Sequence, residues 1–122
     1  MLLHLDFGSD IPIYLQIRNQ IVLGIAEGKL EAGSKLPTIR TLSEECGINM
    51  MTVSKAYQLL KQEGYIQTDR RAGTRICMHR QADMPAELRQ KLELVISEAK
   101  VTGIDLEKIL SVCRTVYEGG TL

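Results

Sequence analysis

The run from Leu36 to Tyr57 constrains the fold more than any other part of the chain. It reads Leu36-Pro37-Thr38-Ile39-Arg40-Thr41-Leu42-Ser43-Glu44-Glu45-Cys46-Gly47-Ile48-Asn49-Met50-Met51-Thr52-Val53-Ser54-Lys55-Ala56-Tyr57, two helices separated by a tight turn. Thr38, placed after Pro37, is an N-cap for a helix reaching Cys46, and Gly47 supplies the left-handed residue that ends it. Asn49 caps a second helix that runs to about Glu63 and stops at Gly64. Val53, Ala56, Tyr57 and Leu60 fall on one face of that helix and predict a buried stripe. Met51, Lys55, Gln58 and Gln62 fall on the opposite face. Helices this short are marginal in isolation, so flanking elements must pack them.

Those elements are legible on both sides. Between Ile11 and Glu27, Ile13, Ile17, Ile21 and Ile25 recur at helical spacing, with Tyr14, Leu15 and Val22 beside them. Pro12 suits the first turn of that helix, Gly28 stops it, and Lys29 to Ser34 form a turn-rich link. Further on, Tyr65–Asp69 and Thr74–Met78 alternate with period two around Arg70-Arg71-Ala72-Gly73, which predicts a β-hairpin with a basic tip. Three helices followed by a hairpin is the order of a winged helix-turn-helix. Beyond Arg80, Gln81 to Pro85 read as a polar linker. Leu88, Leu92, Val95, Ile96 and Ala99 then form one helical stripe. Asp105 caps a last helix with Leu106, Ile109, Leu110, Cys113, Val116 and Tyr117 on one side, and the tail from Glu118 is expected to fray. The expected architecture is mainly α with a small β-hairpin. Residues 1–80 form the winged domain and residues 81–122 a two-helix dimerisation region. So short a helical pair cannot cover its own apolar faces, and pairing with the same hairpin of a second chain would bury both. The alternative is that both helices fold back on their own winged domain.

Charge sharpens the reading. The chain has 122 residues and a formal net charge of zero. Yet from Lys35 to Arg80 eight basic residues face four acidic ones, a balance of +4. The segments on either side each carry −2. Positive charge gathered in one segment is the footprint expected for phosphate. No apolar run approaches the ~18 residues that span a bilayer, and the N-terminus lacks the pattern of a secretory signal. An intracellular, cytoplasmic protein without a membrane partner is expected. Cys46, Cys77 and Cys113 lie far apart, without metal-ligand spacing, and predict buried or half-buried free thiols. His4 and His79 receive no role. No Ser/His/Asp or Cys/His set and no phosphate loop appear, so neither an enzyme nor a cofactor is expected.

A helix that reads DNA needs an unencumbered N-terminal turn and an apolar rear face that anchors it. Asn49, Met50, Met51, Thr52, Ser54 and Lys55 provide the first. Asn can pair bidentately with adenine, hydroxyls can reach bases or phosphates, and apolar side chains can touch the thymine methyl. Met50 and Met51 could instead pack against the preceding helix or within a dimer. Arg40, in the first turn of the preceding helix, could hold phosphate or reach a guanine, or could pair with Glu44 one turn on. Arg70 and Arg71 could enter a minor groove or track phosphate. Lys35 and Thr38 complete the candidate contact set. A winged helix used only for protein interaction is the competing reading.

At this point the chain resembles a known family. Pro12-Ile13-Tyr14-Leu15-Gln16-Ile17, Gly28-Lys29-Leu30, Gly33-Ser34-Lys35-Leu36-Pro37-Thr38-Ile39-Arg40, Asn49-x-x-Thr52-Val53-x-Lys55-Ala56-Tyr57 and Glu63-Gly64-Tyr65-Ile66 look like the GntR family of bacterial transcription regulators. The match runs from about Ile11 to Ile76. The resemblance implies a dimer on an inverted-repeat operator. It also implies DNA contacts from Arg40, from Asn49, Met50, Met51, Thr52 and Ser54, and from Arg70, Arg71 and Gly73. The short C-terminal part resembles the YtrA-type branch, whose members often repress neighbouring transporter genes. An effector is not identified. Two departures stand out: Arg71 occupies a place early in the wing turn where members often carry glycine, and Met50 stands where many carry proline or arginine.

Overall fold

The computed structural model describes residues 3–77 and 83–119. Met78, Arg80, the first linker residues Gln81 and Ala82, and the tail from Gly120 lie outside them. The elements are α1 (Ile13–Ala26), α2 (Ile39–Cys46), α3 (Met50–Gln62), β1 (Ile66–Asp69), β2 (Gly73–Ile76), α4 (Ala86–Val101) and α5 (Leu106–Tyr117). They divide into two compact units, Met1–His79 and Arg80–Leu122.

In the first unit α1 packs most extensively against α3, and α2 and β1 also pack against α3. The stripe expected on α3 is buried throughout: Val53, Ala56, Tyr57 and Leu60. It meets Ile17 and Ile21 of α1, Leu42 of α2, Leu36, and Ile66 and Ile76 of the hairpin in one core. Caps hold the helix ends. Thr38 Oγ1 accepts from the Thr41 N–H at 3.0 Å, and Gly47 closes α2 at φ 67°, a conformation costly for any residue with a Cβ. Pro12 sits one residue ahead of α1, where its carbonyl accepts from Leu15 and Gln16. α1 ends at Ala26, just before Gly28.

The hairpin is shorter than expected. Its strands pair antiparallel, Ile66 with Ile76 through to Asp69 with Gly73. The link expected to be only turn-rich does more: the Gly33 N–H donates to the Ile76 carbonyl, Ile76 to Ser34 and Leu36 to Thr74. Lys35 thereby bridges Arg75 and adds a third, one-residue rung on β2.

Four sets of side-chain contacts secure this unit. Arg18 of α1 donates from Nε and Nη2 to the two carboxylate oxygens of Glu63 at 2.8 and 2.7 Å. That hydrogen bonding holds its guanidinium above the ordinary arginine range, against an opposing effect of burial. Gln16, buried on α1, accepts from the Asp6 N–H and donates to the Asp6 and Ile11 carbonyls. Gln20, one turn on, pairs in the same two-way manner with the backbone of His4. Together they lay residues 4–6 along α1, with Leu3 and Leu5 packed against the core. Finally, the Tyr57 hydroxyl donates to the Pro37 carbonyl at 2.8 Å, fixing the entry to α2 from the middle of α3.

The second unit is a helical pair. Pro85 precedes α4, and Asp105 caps α5 by accepting from the Lys108 N–H at 2.8 Å. None of its described residues is buried.

Burial raises the Tyr57 pKa well above the ordinary phenol value. The folded state therefore keeps a proton that the unfolded chain sheds above about pH 10, so this contribution is intact below that value and declines at higher pH. Tyr57→Phe should cost about 1 kcal/mol at neutral pH through the orphaned carbonyl and should lose less stability than the parent between pH 10 and 12. Urea unfolding at both pH values checks this.

Candidate nucleic-acid interface

The start of α3 is positioned by its own cap. Asn49 Oδ1 accepts from the Met51 N–H at 2.6 Å, so its amide lies against the helix backbone. With that oxygen engaged, the two-pronged adenine contact expected of Asn49 would have to disturb the cap. Met50 and Met51 are 47% and 79% exposed and lie outside the core cluster. Thr52 and Ser54 are half-buried at the flanks of the same turn. Lys55 projects from the outer face, but its Nζ lies 4.1 Å from the centroid of the Tyr14 ring. This cation–π contact ties the outer face of α3 to α1.

Arg40 is exposed in the first turn of α2, and no ion pair with Glu44 forms among the described residues. Its guanidinium is available to an anion. Thr38 and Thr41, one turn apart, hydrogen-bond to each other through their hydroxyls at 2.9 Å, so Thr38 serves the cap first. Behind them, burial pushes the Cys46 thiol above its ordinary value, which favours its protonated, unreactive form.

The wing gathers a second set. Arg70 and Arg71 are exposed at its tip, where Asp69 Oδ1 accepts from the Arg71 N–H at 2.8 Å. Arg71, in the place where relatives often have glycine, does not adopt a positive φ. That role falls to Gly73 at φ 77°. The Lys35 side chain runs beside Gly73, 3.6 Å from where a Cβ would stand, and Arg75 donates to the Gly33 carbonyl at 2.8 Å. Thus Lys35 lies along β2, bridging Arg75 and reaching towards Gly73 beside the wing tip. Sequence periodicity missed this placement, although the Gly33-Ser34-Lys35-Leu36 run carried the signal.

The residues expected to pair two chains are placed on the second unit. Leu88, Leu92, Val95 and Ile96 of α4 are exposed, as are Leu106, Leu110, Val116 and Tyr117 of α5. Ile109 is half-buried. Cys113 is exposed, whereas Cys46 and Cys77 are half-buried as expected. The expectation for Cys113 fails because it lies on an apolar stripe that nothing among the described residues covers. Leu94, Val101 and Val112 are further exposed apolar residues that the stripes did not include.

A capped, outward-facing helix start above a fully anchored rear face, with a two-stranded wing beside it in sequence, defines a winged helix-turn-helix DNA-binding domain. Residues 13–76 match the family of bacterial regulatory proteins called gntR. The chain belongs to the GntR family of transcriptional regulators and carries their DNA-binding domain. It is 34% identical over 112 residues to the HTH-type transcriptional repressor YtrA of Bacillus subtilis, covering 88% of this chain and 86% of that one. A YtrA structure from Sulfolobus acidocaldarius, described as a GntR-family transcription factor, matches at TM-score 0.70 and 37% identity over 83% of this chain and 99% of that one. These likenesses place the chain in the short YtrA-type branch. A structure described as a transcriptional antiterminator from Listeria monocytogenes matches at TM-score 0.84 and 30% identity, over 100% of this chain and 97% of that chain. The DNA-binding domain of AraR, solved in complex with an operator, matches at TM-score 0.55 and 26% identity over 62% of this chain and 96% of that one.

Asn49→Ala should destabilise the first unit by about 1 kcal/mol through loss of the cap. Asn49→Asp should keep the stability, because aspartate caps equally well and suits a helix N-terminus. Thermal unfolding of the two variants, run side by side, separates the capping role from any role in ligand contact.

Proposed function

We propose that the protein is a sequence-specific transcriptional repressor that binds an inverted-repeat operator as a homodimer. The observation that carries the proposal is the exposed first turn of α3, with Met51 and Lys55 outside and Val53, Ala56, Tyr57 and Leu60 locked in the core. That arrangement lets the helix enter a major groove without disturbing its own packing. Arg40 and the wing arginines Arg70 and Arg71 supply phosphate or guanine contacts on either side in sequence. Lys35, alongside β2 of the wing, adds charge. Thr38, Thr52, Ser54 and Gly73 contribute hydroxyl or backbone contacts, and Asn49 contributes its amide nitrogen. The repressor assignment is supported by the name of the Bacillus subtilis relative, and the double-stranded DNA partner by the operator complex of AraR. No catalytic step belongs to this reading.

The exposed apolar residues of α4 and α5 support pairing through a second copy of the same helices. Isologous packing would bury Leu88, Leu92, Val95 and Ile96 with Leu106, Ile109, Leu110, Cys113, Val116 and Tyr117, and would set two reading helices at a fixed spacing. Residues 1–80 then act as the reading domain and residues 81–122 as the dimerisation region.

Binding to a selected operator should weaken steeply with salt through loss of counterion release. Arg40→Ala should cost about 1–3 kcal/mol on the operator alone if it reaches a base. If it holds phosphate, the loss should be uniform across sequences. Gel shifts on operator and scrambled duplexes over a salt series check both points, and absence of any salt-dependent affinity would favour a protein-interaction module instead. Leu92→Asp combined with Val116→Asp should convert a dimer to a monomer in analytical ultracentrifugation and abolish tight operator binding. A wild-type chain that sediments only as a monomer would refute the pairing.

A further inference from the structure

The first turn of α3 carries no cationic side chain, and the nearest lysine, Lys55, lies over the Tyr14 ring. An arginine–guanine contact therefore cannot come from this turn. What it offers is Met51, the most exposed of the large apolar residues described in the first unit. Helical spacing sets Met51 opposite the stripe of Val53, Ala56, Tyr57 and Leu60, so it projects furthest from the core at the reading end. An unbranched thioether left in water there forgoes hydrophobic free energy that a partner could recover. The surroundings point to a polyanion: from Lys35 to Cys77 seven basic residues face four acidic ones. The apolar group that such a polyanion presents in its major groove is the 5-methyl of thymine.

We propose that Met51 reads the 5-methyl group of a thymine, so that each half-site holds a thymine selected by van der Waals contact and not by hydrogen bonding. The assignment rests on α3 entering the major groove, as proposed above. Methionine suits the task because its flexible side chain can settle against a methyl group whose position shifts with local groove geometry. The same methyl occurs on 5-methylcytosine, which becomes a second arm of the test.

Duplexes selected from a random-sequence pool by the full chain are resynthesised with deoxyuridine in place of each thymine in turn. This removes the methyl group and leaves base pairing intact. One thymine per half-site should prove sensitive, with binding weakened about fourfold, the worth of one buried methyl group. Met51→Ala, at an exposed site, should keep its thermal stability and bind thymine and uracil duplexes alike. Met51→Gln, which keeps the length but ends in an amide, should also lose the discrimination. A cytosine placed at the sensitive position should bind better when methylated, though thymine should remain the preferred base. Uracil tolerated at every position, or an equal uracil penalty in wild type and Met51→Ala, overturns the assignment. Selection of no duplex at all removes the DNA-reading role together with it. Selected duplexes without a methyl-sensitive position remove the methionine contact alone.

Discussion

The first unit depends on the burial of one side of α3. Four residues there, Val53, Ala56, Tyr57 and Leu60, are closed off by α1, α2 and the hairpin. Without them α3 would be a thirteen-residue helix close to the length at which isolated helices are marginal in water. Tyr57 does two things at once. Its ring fills the core, and its hydroxyl crosses to the Pro37 carbonyl, so the same side chain that anchors α3 also sets where α2 begins. The angle between the two helices of the motif is thereby tied to packing and not left to the turn at Gly47.

Much of this was legible because it is local. Capping at Thr38 and Asn49, the left-handed Gly47 and the stripe on α3 each follow from spacings of a few residues. What stayed hidden joins residues distant in sequence. The Arg18–Glu63 pair spans 45 positions, and Lys55 over Tyr14 links α3 to α1. Period-two and period-3.6 patterns carry no information about such partners. The third rung at Lys35 was missed for a related reason: a single bridging residue has no periodicity, and the neighbouring glycine and serine looked like an ordinary link. Of the candidate interface, the exposed turn and the basic wing tip could be foreseen. The engagement of the Asn49 oxygen in its own cap could not be weighed without coordinates, since free and capping asparagines look identical in a sequence.

The two units contrast in how they use apolar residues. In the first, most large aliphatic side chains are inside or half inside; Ile11, Leu23, Met50 and Met51 are the exceptions among the described residues, and Met51 is the most exposed of them. In the second, every described leucine and valine is exposed. The contrast separates two physical problems. The first unit solves its own burial and leaves a few scattered apolar side chains outside, the most exposed of them at the start of α3. The second carries broad unpaired faces on short helices, a condition that favours association because each face gains more from a like surface than from water.

The paired amides of Gln16 and Gln20 have a practical consequence for handling this protein. Because they clasp the backbone at His4 and Asp6 from both the donor and the acceptor side, residues 4–6 behave as part of the helical core and not as a loose tail. Proteolytic trimming to Phe7 would leave Gln16 with Ile11 alone and would bare the ground that Leu3 and Leu5 now shield. An affinity handle is therefore better fused at the opposite end, provided that association of the last helices is checked alongside.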